Sequence, residues 1–79
     1  MEESQREQWA KIFGENVRRL REKEGISVAE FAKYLHISQE RLTRLEEGVI
    51  DKRLSMSVVF AIAGRFHLKE YQLFERGDV

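Results

Sequence analysis

The sequence predicts an all-α fold, a compact bundle of five helices, and three observations carry that expectation. Trp9, Phe13, Val17 and Leu20 recur at spacings of four, four and three, the stripe of an amphipathic helix. The stretch SVAEFAKYLHISQERLTRLEEG, from Ser27 to Gly48, holds two short amphipathic segments separated by a tight turn. Nowhere does the chain alternate apolar and polar residues with the period of two that a half-buried strand needs.

Helix one is expected from about Ser4 to Lys23, with Gly25 as its stop. Ser27 caps the second helix, and Glu30, three residues on, completes a capping box in which side chain and backbone satisfy each other's free donors. Phe31, Ala32 and Leu35 share one face of that helix. His36 and Ile37 form the turn, and Ser38 caps a third helix that carries Leu42 and Leu45 inward. A corner this tight is a helix-turn-helix, which holds one helix out from the body of a small domain. Gln39, Glu40, Thr43 and Arg44 remain outward, and these are side-chain types that read base edges.

Gly48 stands where a left-handed stop ends the third helix. A loop from Val49 to Leu54 follows, and Ser55 caps helix four, Met56 to Phe66. A short last helix, Lys69 to Phe74, is expected to close the core with Leu73 and Phe74, and the tail, residues 75–79, to fray.

Composition bounds the function. At 79 residues there is room for one domain, 1–79, with one modest core, and marginal stability at this size favours a dimer or extra packing. The chain has no cysteine, and His36 and His67 stand too far from other ligands to form a metal cluster, so neither metal nor cofactor is expected. The first residues, MEESQREQW, are charged, and no run approaches the roughly 18 apolar residues of a membrane span. A cytoplasmic location with no membrane partner is the expectation. An enzyme is disfavoured too, because the sequence shows no nucleophile–base pair and no glycine-rich phosphate loop.

Charge gives no such direction. Fourteen basic residues balance fourteen acidic ones, whereas nucleic-acid binders often carry a basic excess. The balance holds in each third of the chain, so any basic face has to come from folding.

With these elements in order, the chain resembles the helix-turn-helix regulators of phage repressor and Cro type, the Xre family with its lambda-repressor-like fold. The resemblance covers about Phe13 to Phe74, leaving residues 1–12 as an extension of helix one. It is carried by GENVRRLREKEGIS, Gly14 to Ser27, by AEFAKYL and SQERLTRLEEG, and by the ending SMSVVFAIAGRFHLKEYQLF. The resemblance implies that Arg21 pairs with Glu46, tying helix one to the end of the reading helix. It also implies that Ala32 is the small residue at the crossing of the two corner helices. Double-stranded DNA is the partner it implies, bound as a homodimer.

The chain departs from the family pattern at three places. Val28 stands where relatives commonly have a glutamine that binds a phosphate, although backbone N–H groups at a helix start can still meet one, with Ser27 and Ser38 at the two starts. His36 and His67 stand where glycine is favoured, and strain tolerated in a left-handed backbone explains them better than a pH-sensing role. Glu40 is an acid where relatives often contact bases. It can accept from a cytosine amino group, or it can form a surface pair with Arg44 four residues on.

Gln39 can pair with adenine, Arg44 with guanine, and Thr43 can meet a thymine methyl. Arg18, Arg19, Lys52 and Arg53 are candidates for phosphates, which set register on any sequence. Within helix four the run from Met56 to Ala63 is apolar almost all round, which suits either a central place in the core or a subunit contact through Val58 and Ala61. Trp9 either closes the core against the last helix or anchors a partner. The expected function is a sequence-specific, repressor-like transcriptional regulator. The alternative is a protein-interaction module of the same fold that has lost DNA binding.

Overall fold

The computed structural model describes residues 3–50 and 55–76. Four α-helices follow one another: α1 Glu3–Lys23, α2 Val28–Leu35, α3 Gln39–Glu46 and α4 Met56–Arg65. A single 3-10 turn, Glu70–Phe74, ends the described fold, and no strand occurs among the described residues. The expectation of five helices is therefore corrected to four.

The reason lies in where the last carbonyls go. Asn16 of α1 is buried, and its Nδ2 donates to Leu73 O and to Glu75 O, each at 2.8 Å. Gln72 N–H reaches Lys69 O at 3.0 Å, and the Gln72 side-chain oxygen accepts from Lys69 N–H at 2.8 Å. With its polar groups taken by close neighbours and by α1, the segment is satisfied as a tight turn and has no need of an α-helical ladder.

Three serines start helices as the sequence leads one to expect. Ser27 Oγ accepts from Glu30 N–H and Ser38 Oγ from Arg41 N–H, both at 3.0 Å, and Ser55 Oγ accepts from Val58 N–H at 3.4 Å. At the first of these the Ser27 hydroxyl also donates to the Glu30 carboxylate at 3.2 Å, so the expected capping box is corrected to a cap in which Glu30 meets the Ser27 side chain and not its backbone N–H.

All four α-helices stop in the same way. At Gly25, His36, Gly48 and His67 the backbone turns left-handed, with φ of 71°, 58°, 89° and 58°. In each case the next residue's N–H reaches back five positions, as in Ile37 N–H to Ala32 O at 3.0 Å and Leu68 N–H to Ala63 O at 2.8 Å. This is the Schellman arrangement, which satisfies carbonyls that the helix end leaves over. Two of the four stops use histidine, which carries the Cβ that disfavours this conformation.

The core gathers Phe13 and Val17 of α1, Phe31 of α2, Leu42 of α3, Ile62 of α4 and Leu73 of the final turn. α1 packs against both α3 and the final turn, and α2 lies between α3 and α4. Phe74 stacks on Phe13 with ring centroids 4.9 Å apart, and Trp9 meets Phe74 edge-on at 5.5 Å. Trp9 thus lies against the last element, as the core-closing reading had it.

α4 buries Val58, Val59, Ile62 and Ala63. Its exposed apolar residues are Met56, 57% exposed, and Phe60, 51% exposed. Val58, a candidate subunit contact from the sequence, is only 9% exposed and belongs to the core, and Ala61 is half-buried against it. A helix that is apolar nearly all round carries no pattern to say which side faces inward, so this choice falls to packing.

Candidate nucleic-acid interface

The corner is built on small residues and one ion pair. Ala32 of α2 is buried in the core, and Leu42 and Leu45 seal the inner face of α3. α1 crosses the end of α3 at Gly14, where an added Cβ would collide with Leu45 O and lie 2.8 Å from Glu46 O. Only glycine lets the two backbones come this close. A little further along α1, Arg21 Nε donates to Glu46 Oε2 at 2.7 Å and Nη2 to Glu46 Oε1 at 3.1 Å.

That pair is bidentate and nearly buried, with the side chains 11% and 6% exposed. Arg21 Nη1 also donates to Ile26 O at 2.8 Å, so the guanidinium clamps the α1–α2 turn and the end of α3 together. The hydrogen bond to Glu46 raises the Arg21 pKa above its already high ordinary value, against the opposing effect of burial. Glu46 is thereby neutralised and turned inward, away from the face that α3 shows to solvent.

On that face Gln39, Glu40, Thr43 and Arg44 are all exposed. Arg44 Nη2 donates to Glu40 Oε1 at 2.7 Å, the surface pair that the four-residue spacing allowed. Beside them lies a groove of about 270 Å³, bounded by Ser38, Glu40, Arg41 and Arg44 with Leu45, Val49 and Ile50 along its floor and rim. It is smaller than the roughly 300–1,000 Å³ of a small-molecule site. Two arginines, Arg41 and Arg44, and one acid, Glu40, supply its charged groups.

The proposed phosphate candidates are distributed unevenly. Ser27 and Ser38 are exposed at the starts of α2 and α3. Val28 is half-buried against the core and so shows no polar group at the first of these starts. Arg18 is exposed, on the side of α1 that also carries Gly14 and Arg21, and pairs with Glu22 at 3.4 Å. Arg19 donates to Asn16 Oδ1 at 3.0 Å, on the side of α1 that meets the final turn, so the structure does not bring it to α3. Lys52 and Arg53 lie outside the described residues.

Sequence reasoning passed over Gly14, Asn16, Arg41 and Val49. Gly14 sits inside an unbroken helical pattern, where a glycine is a signal of close approach. Arg41 and Val49 gave no such signal, because their place beside Arg44 depends on how the chain leaves α3. Val49 N–H reaches Arg44 O at 2.9 Å and sets its exposed side chain on the rim of the groove.

Among the described residues no three or more His, Asp or Glu side chains are placed to hold a metal ion. No described helix is long and apolar enough to cross a membrane.

A short outward helix, fixed at its inner end by a buried ion pair and capped by a serine after a tight turn, defines a helix-turn-helix domain. A family model described as Helix-turn-helix matches residues 17–73, and the chain belongs to this family, the Xre or lambda-repressor-like helix-turn-helix proteins, a class of DNA-binding regulatory domains. No curated protein and no solved structure gives a significant match.

Proposed function

We propose that the protein is a sequence-specific transcriptional regulator of repressor-like action, whose α3 enters the major groove of duplex DNA. The observation that carries this reading is the pairing of a rigid support with a polar reading face. Arg21, Glu46 and Gly14 hold α3 from within, and Gln39, Glu40, Thr43 and Arg44 stand outward on it. Gln39 pairs with adenine and Arg44 with guanine, each contributing about 1–3 kcal/mol of discrimination. Ser27 and Ser38 set the two helix starts against phosphates, with Lys52, Arg53 and Arg18 adding contacts that bind any sequence.

A homodimer on a two-fold site completes the proposal, because one reading helix of two turns covers too few base pairs to specify a site. The exposed Met56 and Phe60 on α4 offer apolar surface for such a contact. Sedimentation of the free protein and of its DNA complex measures the stoichiometry.

The test of the main reading is selection from a random duplex library at low salt. Enrichment of one sequence, with binding that weakens as salt rises, supports it. Enrichment of none points to the second reading, an interaction module that keeps the fold without reading DNA. What favours that second reading is the neutral overall charge together with an acid, Glu40, on the outward face of α3.

A further inference from the structure

Glu40 and Arg44 lie one turn apart on the outward face of α3, joined by a 2.7 Å bond from Nη2 to Oε1. Both are largely exposed, 74% for Glu40 and 63% for Arg44, so the pair does little for stability. It changes two other things. A free arginine side chain samples many rotamers and loses that freedom on binding, whereas here one guanidinium nitrogen is already held. The guanidinium has five N–H donors, so the bond leaves an edge open for guanine O6 and N7.

Glu40 also sits in the first turn of α3. There its negative charge offsets the partial positive charge of the helix start, which otherwise attracts every phosphate alike. Resting on the reading that α3 enters the groove, we propose that Glu40 is a positioning residue that aims Arg44 at a guanine and suppresses binding to other DNA. The interface gives up general affinity and gains selectivity at the base pair that Arg44 faces.

The experiment compares the wild-type protein with Glu40→Gln, Arg44→Ala, the double variant and Glu47→Gln. Glu47 is exposed at the C-cap of α3 and its carboxylate is not part of the Glu40–Arg44 bond, so its variant removes the same charge and keeps that bond in place. Each is titrated against the selected duplex, the same duplex with single base-pair replacements, and a scrambled duplex. Arg44→Ala locates the base pair by losing about tenfold or more of discrimination there. Glu40→Gln is expected to bind the scrambled duplex several-fold more tightly and to lose several-fold of discrimination at that same base pair. In the double variant the second effect vanishes, because the two residues act as one unit. Glu47→Gln raises general affinity and leaves discrimination intact.

A change of preference at a different base pair in Glu40→Gln overturns the proposal, since Glu40 then reads a base itself. Equal discrimination by Glu40→Gln and the wild type overturns it too. If the wild type enriches no sequence at all, the regulator reading falls first and this inference with it, and that result is distinct from the other two.

Discussion

Gly14 of α1 lies directly against the Leu45 carbonyl of α3, with no space for a Cβ between them. The contact sets how closely the first helix approaches the end of the reading helix, and therefore the angle at which that helix stands out. Gly14→Ala gains about 1 kcal/mol of helix propensity. It also forces two backbones apart, and overpacking of this kind costs about 1–3 kcal/mol or more. A net loss of stability is expected, read as a lower midpoint in urea, and a stabilised variant would show that the crossing has slack.

Arg21→Ala leaves the Glu46 carboxylate nearly buried without its partner. Breaking such a pair costs about 3–5 kcal/mol, whereas replacing both partners with apolar residues is often close to neutral. Arg21→Met with Glu46→Leu should therefore recover most of the loss. Thermal unfolding of the single and double variants separates a geometric clamp from a simple deficit of charge.

His36 and His67 occupy left-handed positions at φ of 58°. A side-chain-bearing residue pays roughly 1–2 kcal/mol there, offset in part by the greater backbone entropy that glycine loses on folding. His36→Gly and His67→Gly should each stabilise the fold by about 0.5–1 kcal/mol. Denaturant titration checks this, and destabilisation by either variant would assign the imidazole a contact worth more than the strain.

Asn16→Ala removes both donors to the Leu73 and Glu75 carbonyls. The Leu73 carbonyl is buried, and leaving it without a donor costs about 1–3 kcal/mol, whereas the part-buried Glu75 carbonyl can turn to water. The loss should be local to the final turn. Trp9 is the only tryptophan and packs on Phe74, so its fluorescence reports the turn directly. A red-shifted emission that precedes global unfolding is expected in the variant and absent from the wild type.

Gln39→Ala should weaken binding to the selected duplex by about 1–3 kcal/mol and leave the scrambled duplex unaffected. Fluorescence titration against both duplexes at two salt concentrations is the measurement. An equal loss on both would make Gln39 a backbone contact.

What the sequence determined by itself lies within a few residues along the chain. Ser27, Ser38 and Ser55 start helices, and Gly25, Gly48, His36 and His67 stop them, because each cap bonds a neighbour three to five positions away. The spacing of Leu42 and Leu45 likewise decided which face of α3 is left for Gln39, Glu40, Thr43 and Arg44. Tertiary structure decided what depends on distant partners. Asn16 reaches carbonyls 57 and 59 positions on, and that reach makes the last element a 3-10 turn where a fifth helix was expected. Arg21 and Glu46 stand 25 apart, and only the family resemblance linked them before the fold did. α4 had no polar face to orient it, so packing against α2 and the final turn chose Val58 for the core and left Phe60 outside. A local bond is implied by spacing, whereas a contact across the fold exists only once the whole core has closed.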